Sequence, residues 1–249
     1  MNSNVKLIVS YEGTHYFGWQ KTKTGPSIEE ELEKALTIIL RQAVSLQAAS
    51  RTDRGVHAKG QVVNFVTDKP FDPKRLEYSL NCLLPGDIRV LSLGIEKESF
   101  HPTLDVTKKQ YRYFVRNTLT HYPEDRLFSW HIPKPLDQKA MVKAAKHFLG
   151  VHDFSAFCNS IKENCYENTI REVIRFDIEK SEDSKFSFII EGNHFLYKMV
   201  RNMVGTVVYA GLKKIEPESI PNILSSKKRA SAEVTAPALG LTLYQVFYS

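Results

Sequence analysis

Hydrophobic and polar residues alternate in several short segments of the chain and recur at helical spacing in others. In the first part of the chain, alternation predicts strands at residues 5–11, 44–48, 60–66 and 88–93. Helical spacing follows two N-terminal signals, the capping box formed by Ser27 and Glu30 and the Asp72-Pro73 pair. The predicted order of elements is therefore β-α-β-β-α-β.

The same order recurs in the second part. Strands are predicted at residues 110–115, 170–178, 186–191 and 241–248, and helices after Asp137, over 195–212 and near 218–224. Two such units in one chain predict an α+β protein of two related, RRM-like or ferredoxin-like halves, residues 1–104 and 105–249. We expect the halves to share one antiparallel sheet flanked by helices, with a cleft across it.

Composition narrows the class of protein. The 249 residues, 42% of them hydrophobic, suffice for a packed core, and the longest apolar run, residues 203–212, falls short of the ~20 needed to span a bilayer. We therefore expect no membrane segment. Three cysteines without a C-x-x-C pair favour reduced thiols in a cytoplasmic protein and argue against a cysteine zinc site.

Positive charge is concentrated in a few segments of a chain whose formal net charge is +6. The basic segments are residues 50–60, 106–118, 193–214 and 227–229. For residues 227–229 taken alone, a solvated surface face is the preferred interpretation. Because the first segment belongs to one half and the other three to the second, we expect them to line a basic RNA-binding cleft.

One loop carries candidate chemistry. The common phosphate-loop, dinucleotide, zinc-protease and serine-hydrolase motifs are absent, so neither a cofactor nor a metal is predicted. Between two predicted strands, Asp53 stands between Arg51 and Arg54 near Gly55. Flanking arginines favour the ionised carboxylate that a nucleophile or electrostatic stabiliser requires. A loop salt bridge is the structural alternative.

This loop resembles the R-T-D-x-G-V-H signature of the tRNA pseudouridine synthase A family. Further blocks resemble the family in its order, and they are residues 11–20, 81–90, 111–113, 152–157, 195–205 and 236–243. The resemblance covers essentially the whole chain. It implies the pseudouridine synthase fold, a homodimer without cofactor, and isomerisation of uridine to pseudouridine at positions 38, 39 and 40 of the tRNA anticodon stem-loop.

The resemblance also implies roles for individual residues. Asp53 is the nucleophile, acting on C1′ or on the base, Arg201 pairs with it, and Arg51 either replaces the flipped base or holds a phosphate. Tyr111 stacks on the uracil and Leu243 packs beneath it. Without the resemblance, Tyr111 reads as a core residue and Arg201 as a surface cation. Two further cations of the basic segments, Arg54 and Lys198, are expected to contact the substrate.

The chain also departs from the family. Arg54 stands where many relatives have a small residue or lysine, and residues 101–104 lack an arginine usual there, which puts a phosphate contact near Thr103 in question. Two alternatives stay open. One is a non-catalytic protein of two RRM-like units, although the K/R-G-F-G-F pattern of such units is missing. The other is a pseudouridine synthase acting on another RNA.

Overall fold

The structure, a computed structural model, describes residues 2–159 and 166–249. Cys165, one of the three cysteines considered above, lies outside the described residues. Over the described residues the strands are β1 Ser3–Tyr11, β2 Gln47–Ala48, β3 His57–Thr67, β4 Ile88–Glu96, β5 Val106–Arg116, β6 Trp130–His131, β7 Gly150–Asp153, β8 Ile170–Lys180, β9 Lys185–Gly192 and β10 Leu241–Tyr248. The α-helices are α1 Ile28–Leu40, α2 Pro73–Leu83, α3 Gln138–Lys146, α4 Met199–Gly211 and α5 Ile220–Ser226.

The chain divides into two compact units whose limits differ from the predicted halves. The first unit comprises the chain up to Thr107 together with Thr242–Ser249, and the second comprises Lys108–Leu241. The prediction of 1–104 and 105–249 assigned the last strand to the second half. In the structure that strand belongs almost entirely to the first unit, because it pairs with β3 there.

The first unit contains the predicted β-α-β-β-α-β order, completed by β10. Its strands lie in the order β4-β1-β3-β10, with β2 also paired to β3. The neighbours of β1 are antiparallel to it, whereas β10 runs parallel to the start of β3. Helices α1 and α2 bury their apolar faces, through Ile28, Leu32, Leu36, Leu76 and Leu80.

The predicted N-caps of these helices are confirmed. The Ser27 side chain accepts a hydrogen bond from the Glu30 N–H at 3.3 Å, and Asp72 accepts one from the Arg75 N–H at 2.7 Å. The capping box is only half formed, because the Glu30 carboxylate forms an ion pair with Lys34. Both helices therefore begin where the sequence places their first turns.

The second unit is built on an antiparallel sheet in the order β5-β9-β8-β7, with β6 parallel to β5. Helices α3 and α4 pack together, and the core includes the ring cluster of Phe148, Phe154, Phe157 and Phe176. The helix predicted over 195–212 begins only at Met199, because Lys198 precedes it in the left-handed conformation, with φ of 60°. None of the helices in the described ranges has the length and apolar character needed to cross a lipid bilayer.

Candidate active site

Asp53 lies in the loop that joins β2 to β3. The Val56 N–H donates to the Asp53 carbonyl oxygen at 3.1 Å, and Gly55 adopts a φ of 77°, so the chain reverses within these residues. Asp53 is half-buried, and its neighbours Arg51 and Arg54 are exposed. The loop thus presents a carboxylate between two cations, and its backbone is fixed by a tight turn.

The segment 11–20 holds this loop from one side. Gly18, at a φ of 100°, lies so close to the loop that an added Cβ would be 2.8 Å from the Thr52 carbonyl oxygen and 3.1 Å from the Arg54 nitrogen. The Trp19 N–H donates to the same Thr52 oxygen at 3.0 Å. Trp19 exposes only 2% of its surface, so it supports the loop and offers no stacking platform to RNA.

Side-chain hydrogen bonds hold the loop from beneath. The hydroxyls of Tyr11 and Thr52 are 2.8 Å apart, and both residues are buried. The Gln61 side chain of β3 forms two hydrogen bonds with the Ser50 backbone. It donates to the Ser50 carbonyl oxygen at 2.6 Å and accepts from the Ser50 N–H at 3.2 Å. The backbone on both sides of Arg51 is therefore anchored, which leaves the loop little freedom to move.

The remaining predicted residues of the first unit surround this loop. The Arg54 guanidinium lies 4.1 Å from the centre of the Phe17 ring. Leu243 of β10 is fully buried and pairs with Ala58, close after the loop along β3. Thr103, next to the missing arginine, donates its hydroxyl to the Ala48 carbonyl oxygen at 2.7 Å, just before the loop. The loop thus carries Asp53, Arg51 and Arg54. Leu243 lies on the strand that pairs with the residues directly after the loop.

In the second unit, Tyr111 lies on β5 opposite Ile190 of β9. It exposes 7% of its surface, and its ring meets the Phe195 ring edge-on at a centroid distance of 5.3 Å. Lys198, the other predicted substrate contact on this side, is half-buried, with its ammonium 4.9 Å from the centre of the Tyr197 ring. Phe195 was not predicted as part of the site, although it opens the resembling block.

Arg201 is held by a segment that precedes β10. Its Nε donates to the Ala236 carbonyl oxygen at 2.8 Å, and the Ala236 N–H donates back to the Arg201 carbonyl oxygen at 3.1 Å. The next carbonyl, of Pro237, accepts the Tyr113 hydroxyl at 2.8 Å. Arg201 is therefore tied to the strand that carries Tyr111.

Arg229 organises the same segment, which the sequence did not reveal. It donates to the carbonyl oxygens of Ala232 and Glu233 and to the side chains of Asn159, Asn202 and Thr235, at 2.8 to 3.1 Å. Burial lowers the pKa of Arg229 from its ordinary value. The structure therefore corrects the interpretation of residues 227–229 as a solvated face for Arg229, which is a structural residue, whereas Lys227 and Lys228 are exposed. Its position next to two lysines concealed this role.

Known proteins resemble the chain over most of its length. The family model for tRNA pseudouridine synthases matches residues 7–103 and 144–249. The tRNA pseudouridine synthase A 2 of Protochlamydia amoebophila is 49% identical over 98% of this chain and 94% of its own. The tRNA pseudouridine synthase A of Thermoanaerobacter sp. is 43% identical over 98% and 99%. A solved Cbf5-Nop10-Gar1 complex aligns with 82% of this chain and 44% of that chain, at 12% identity and a TM-score of 0.37.

Proposed function

Because the chain belongs to the tRNA pseudouridine synthase family, we propose that it isomerises uridine to pseudouridine in the anticodon stem-loop of tRNA, at positions 38, 39 and 40. The observation that carries the proposal is the anchored loop that presents Asp53 between Arg51 and Arg54. The similarity to named tRNA pseudouridine synthases over 98% of the chain favours tRNA over other RNA.

The reaction itself calls for one fixed carboxylate. The bond from C1′ to N1 breaks, the uracil turns and a bond from C1′ to C5 forms. The proton on C5 leaves and N1 takes up a proton, so the product is an isomer of the substrate. Breaking the N-glycosidic bond builds positive charge on the sugar, which a preorganised carboxylate stabilises or captures. Asp53 performs this step as the nucleophile, acting at C1′ or at the uracil ring. Since the base is recaptured rather than released to water, no second catalytic carboxylate is required.

Other residues complete the site in this proposal. Arg201 pairs with Asp53, and its fork of donors holds the carboxylate in one orientation. The target uridine leaves the stem-loop at a cost of a few kcal/mol, and Arg51 takes its place or holds a phosphate. Tyr111 stacks on the uracil, with Leu243 beneath it. The exposure of Arg51 and the burial of Leu243 suit these two roles.

Affinity for tRNA comes from the basic segments. Lys198 and Arg54 contact the substrate together with other cations of residues 50–60, 106–118 and 193–214. Arg229 and Arg116 are excluded because both are bonded within the fold. Phosphate contacts of this kind position an RNA without reading its sequence. We also propose that the protein works in the cytoplasm as a homodimer, and sedimentation at micromolar concentration tests the dimer.

The test is pseudouridine formation in anticodon stem-loops by the purified protein, with the Asp53→Asn variant as control. We expect conversion of uridines at 38, 39 and 40 by the wild type and no turnover by the variant, which keeps its affinity because phosphate contacts are unchanged. Residual turnover in Asp53→Asn above a small percentage of the wild-type rate removes Asp53 from the nucleophile role. Conversion only in rRNA or mRNA fragments overturns the tRNA assignment, and binding without conversion favours a non-catalytic RNA-binding protein.

A further inference from the structure

Lys109 of β5 is a buried cation whose charge has no counterpart in the fold. It exposes 6% of its surface. Over residues 2–159 and 166–249, its ammonium has no hydrogen-bond or ion-pair partner. Removing an unpaired ammonium from most of the surrounding water is unfavourable, and buried charges are normally paired. Such a group in a folded protein calls for an explanation, and a bound anion supplies one.

On the opposite face of β5, the cationic side chains have partners within the fold. Lys108 forms an ion pair with Glu191 at 2.7 Å, and Gln110 donates to the other oxygen of Glu191 at 2.7 Å. Arg112 in turn donates to the Gln110 side chain at 3.2 Å. Because side chains alternate along a strand, these three residues share one face, and Lys109 lies on the other.

Lys109 shares its face with Tyr111, the proposed partner of the uracil. The register between β5 and β9 is regular here, pairing Lys109 with Gly192 and Tyr111 with Ile190. Positions two apart on a strand are about 7 Å apart, which is within the span of one nucleotide. Phe195 lies beside this face, because its ring meets Tyr111 edge-on and a Cβ at Gly192, the residue opposite Lys109, would be 2.9 Å from it.

We propose that Lys109 binds a phosphate of the substrate RNA next to the uridine that stacks on Tyr111. This inference rests on the proposed function, because RNA is taken as the ligand. The phosphate supplies the missing counter-charge at a site with little water, where an ion pair is stronger than on the surface. Lys109 is in this sense a positioning residue, holding the backbone of the target nucleotide while Asp53 acts on it.

The site has a characteristic dependence on pH. Burial lowers the pKa of Lys109 to about 8, so the unliganded ammonium loses its proton just above neutral pH. The titratable neighbour of Lys109 is His194, whose pKa is lowered below its ordinary value by burial, by Lys109 and by Arg171. His194 is therefore neutral from pH 7 upward and does not contribute. A bound phosphate favours the ammonium, so RNA binding takes up a proton above pH 8.

The experiment measures RNA affinity at pH 7 and pH 8.5, in an Asp53→Asn background so that the RNA is not converted. With a pKa of about 8, the affinity of the parent protein should fall about fourfold between these pH values. In Lys109→Arg the charge persists at both pH values, and in Lys109→Met it is absent at both, so the fourfold change should vanish in each. Titration of the RNA itself is common to all variants and cancels.

Salt and heat provide the controls. Lys109→Met should lower the slope of log affinity against log salt by about one, whereas Lys143→Met, which removes an exposed lysine of α3, should leave it unchanged. Because the ammonium has no partner in the fold, Lys109→Met should melt no lower than the parent protein. A lower melting temperature, an unchanged salt slope, or a fourfold change that persists in Lys109→Met each overturns the inference.

Failure of this inference is distinct from failure of the proposed function. A wild-type protein that binds RNA with this pH profile yet forms no pseudouridine overturns the function and leaves the phosphate site standing. A wild-type protein that forms pseudouridine, together with a Lys109→Met variant that binds as the parent does, overturns the site and leaves the function standing.

Discussion

Replacing Gly18 by alanine perturbs the Asp53 loop without removing any proposed functional group. The new methyl would lie 2.8 Å from the Thr52 carbonyl oxygen, 3.1 Å from the Arg54 nitrogen and 3.2 Å from the Asp53 carbonyl carbon. All three atoms belong to the loop backbone, so no side-chain rotation relieves the contacts. The loop itself has to move away from segment 11–20.

The size of the effect follows from these distances. Ordinary contact begins at 3.4 Å, so the Thr52 oxygen has to retreat by about 0.6 Å, and the peptide of Asp53 moves with it. A misplacement of about 1 Å lowers catalysis about 100-fold, so we expect a fall in kcat of about tenfold. Alanine at a φ of 100° adds backbone strain of about 1–3 kcal/mol, lost from the free energy of unfolding.

Substitutions at two other glycines separate the loss of kcat caused by loop displacement from the loss of stability caused by backbone strain. Gly150 has a φ of 93°, and an added Cβ would come no closer than 4.0 Å to a neighbouring atom, the His152 Nε2. Gly150→Ala should therefore lower the melting temperature through strain while kcat stays at the wild-type value. Gly94 in β4 has no positive φ, and an added Cβ would meet no atom within 4 Å. Gly94→Ala should therefore change neither the melting temperature nor kcat. The assay is turnover of an anticodon stem-loop at a temperature where all variants are folded. Wild-type kcat in Gly18→Ala, or an equal loss in Gly150→Ala, refutes the reasoning.

Two further predictions concern the second unit. Arg201→Lys keeps the charge but loses the fork of donors, so tRNA affinity should survive while turnover falls at least tenfold, and unchanged turnover would remove Arg201 from the site. Burial raises the pKa of Asp125, but hydrogen bonds from Lys185 and Arg116 outweigh this and lower it below its ordinary value. That stabilisation is present above about pH 4 and lost as the pH falls through the lowered pKa. Asp125→Asn should therefore cost about 3–5 kcal/mol in urea unfolding at pH 7, and this cost should shrink steadily as the pH falls below 4, so a cost that does not change with pH would contradict this ion pairing.

Local patterns predicted the elements that local physics determines. The caps at Ser27, Asp72 and Asp137 lie where a polar side chain meets an apolar helical repeat, and each accepts the expected N–H. Strands β6 and β7 went unpredicted, because two and four residues are too few to establish an alternation. The strand predicted over 44–48 shrinks to Gln47–Ala48, the two residues that pair with Asn64 and Val63 of β3.

Contacts between distant parts of the sequence were beyond such patterns. Nothing in residues 241–248 indicates that they pair with β3, since strand periodicity specifies a face and not a neighbour. The Asp53 loop was identified from its residues, but its anchoring by Gly18, Trp19 and Gln61 required the structure. Arg229 was misjudged for the same reason, because its partners are spread from Asn159 to Thr235.

The return of the chain to the first unit has a consequence for synthesis on the ribosome. The Asp53 loop and β3 emerge early, but the strand that pairs with His57 and Ala58 follows only after all of Lys108–Leu241. Until then the start of β3 has an open edge with unpaired backbone groups. A nascent chain stalled before Leu243 therefore carries the proposed nucleophile without its neighbouring strand, and the progress of translation sets the moment at which the first unit is complete.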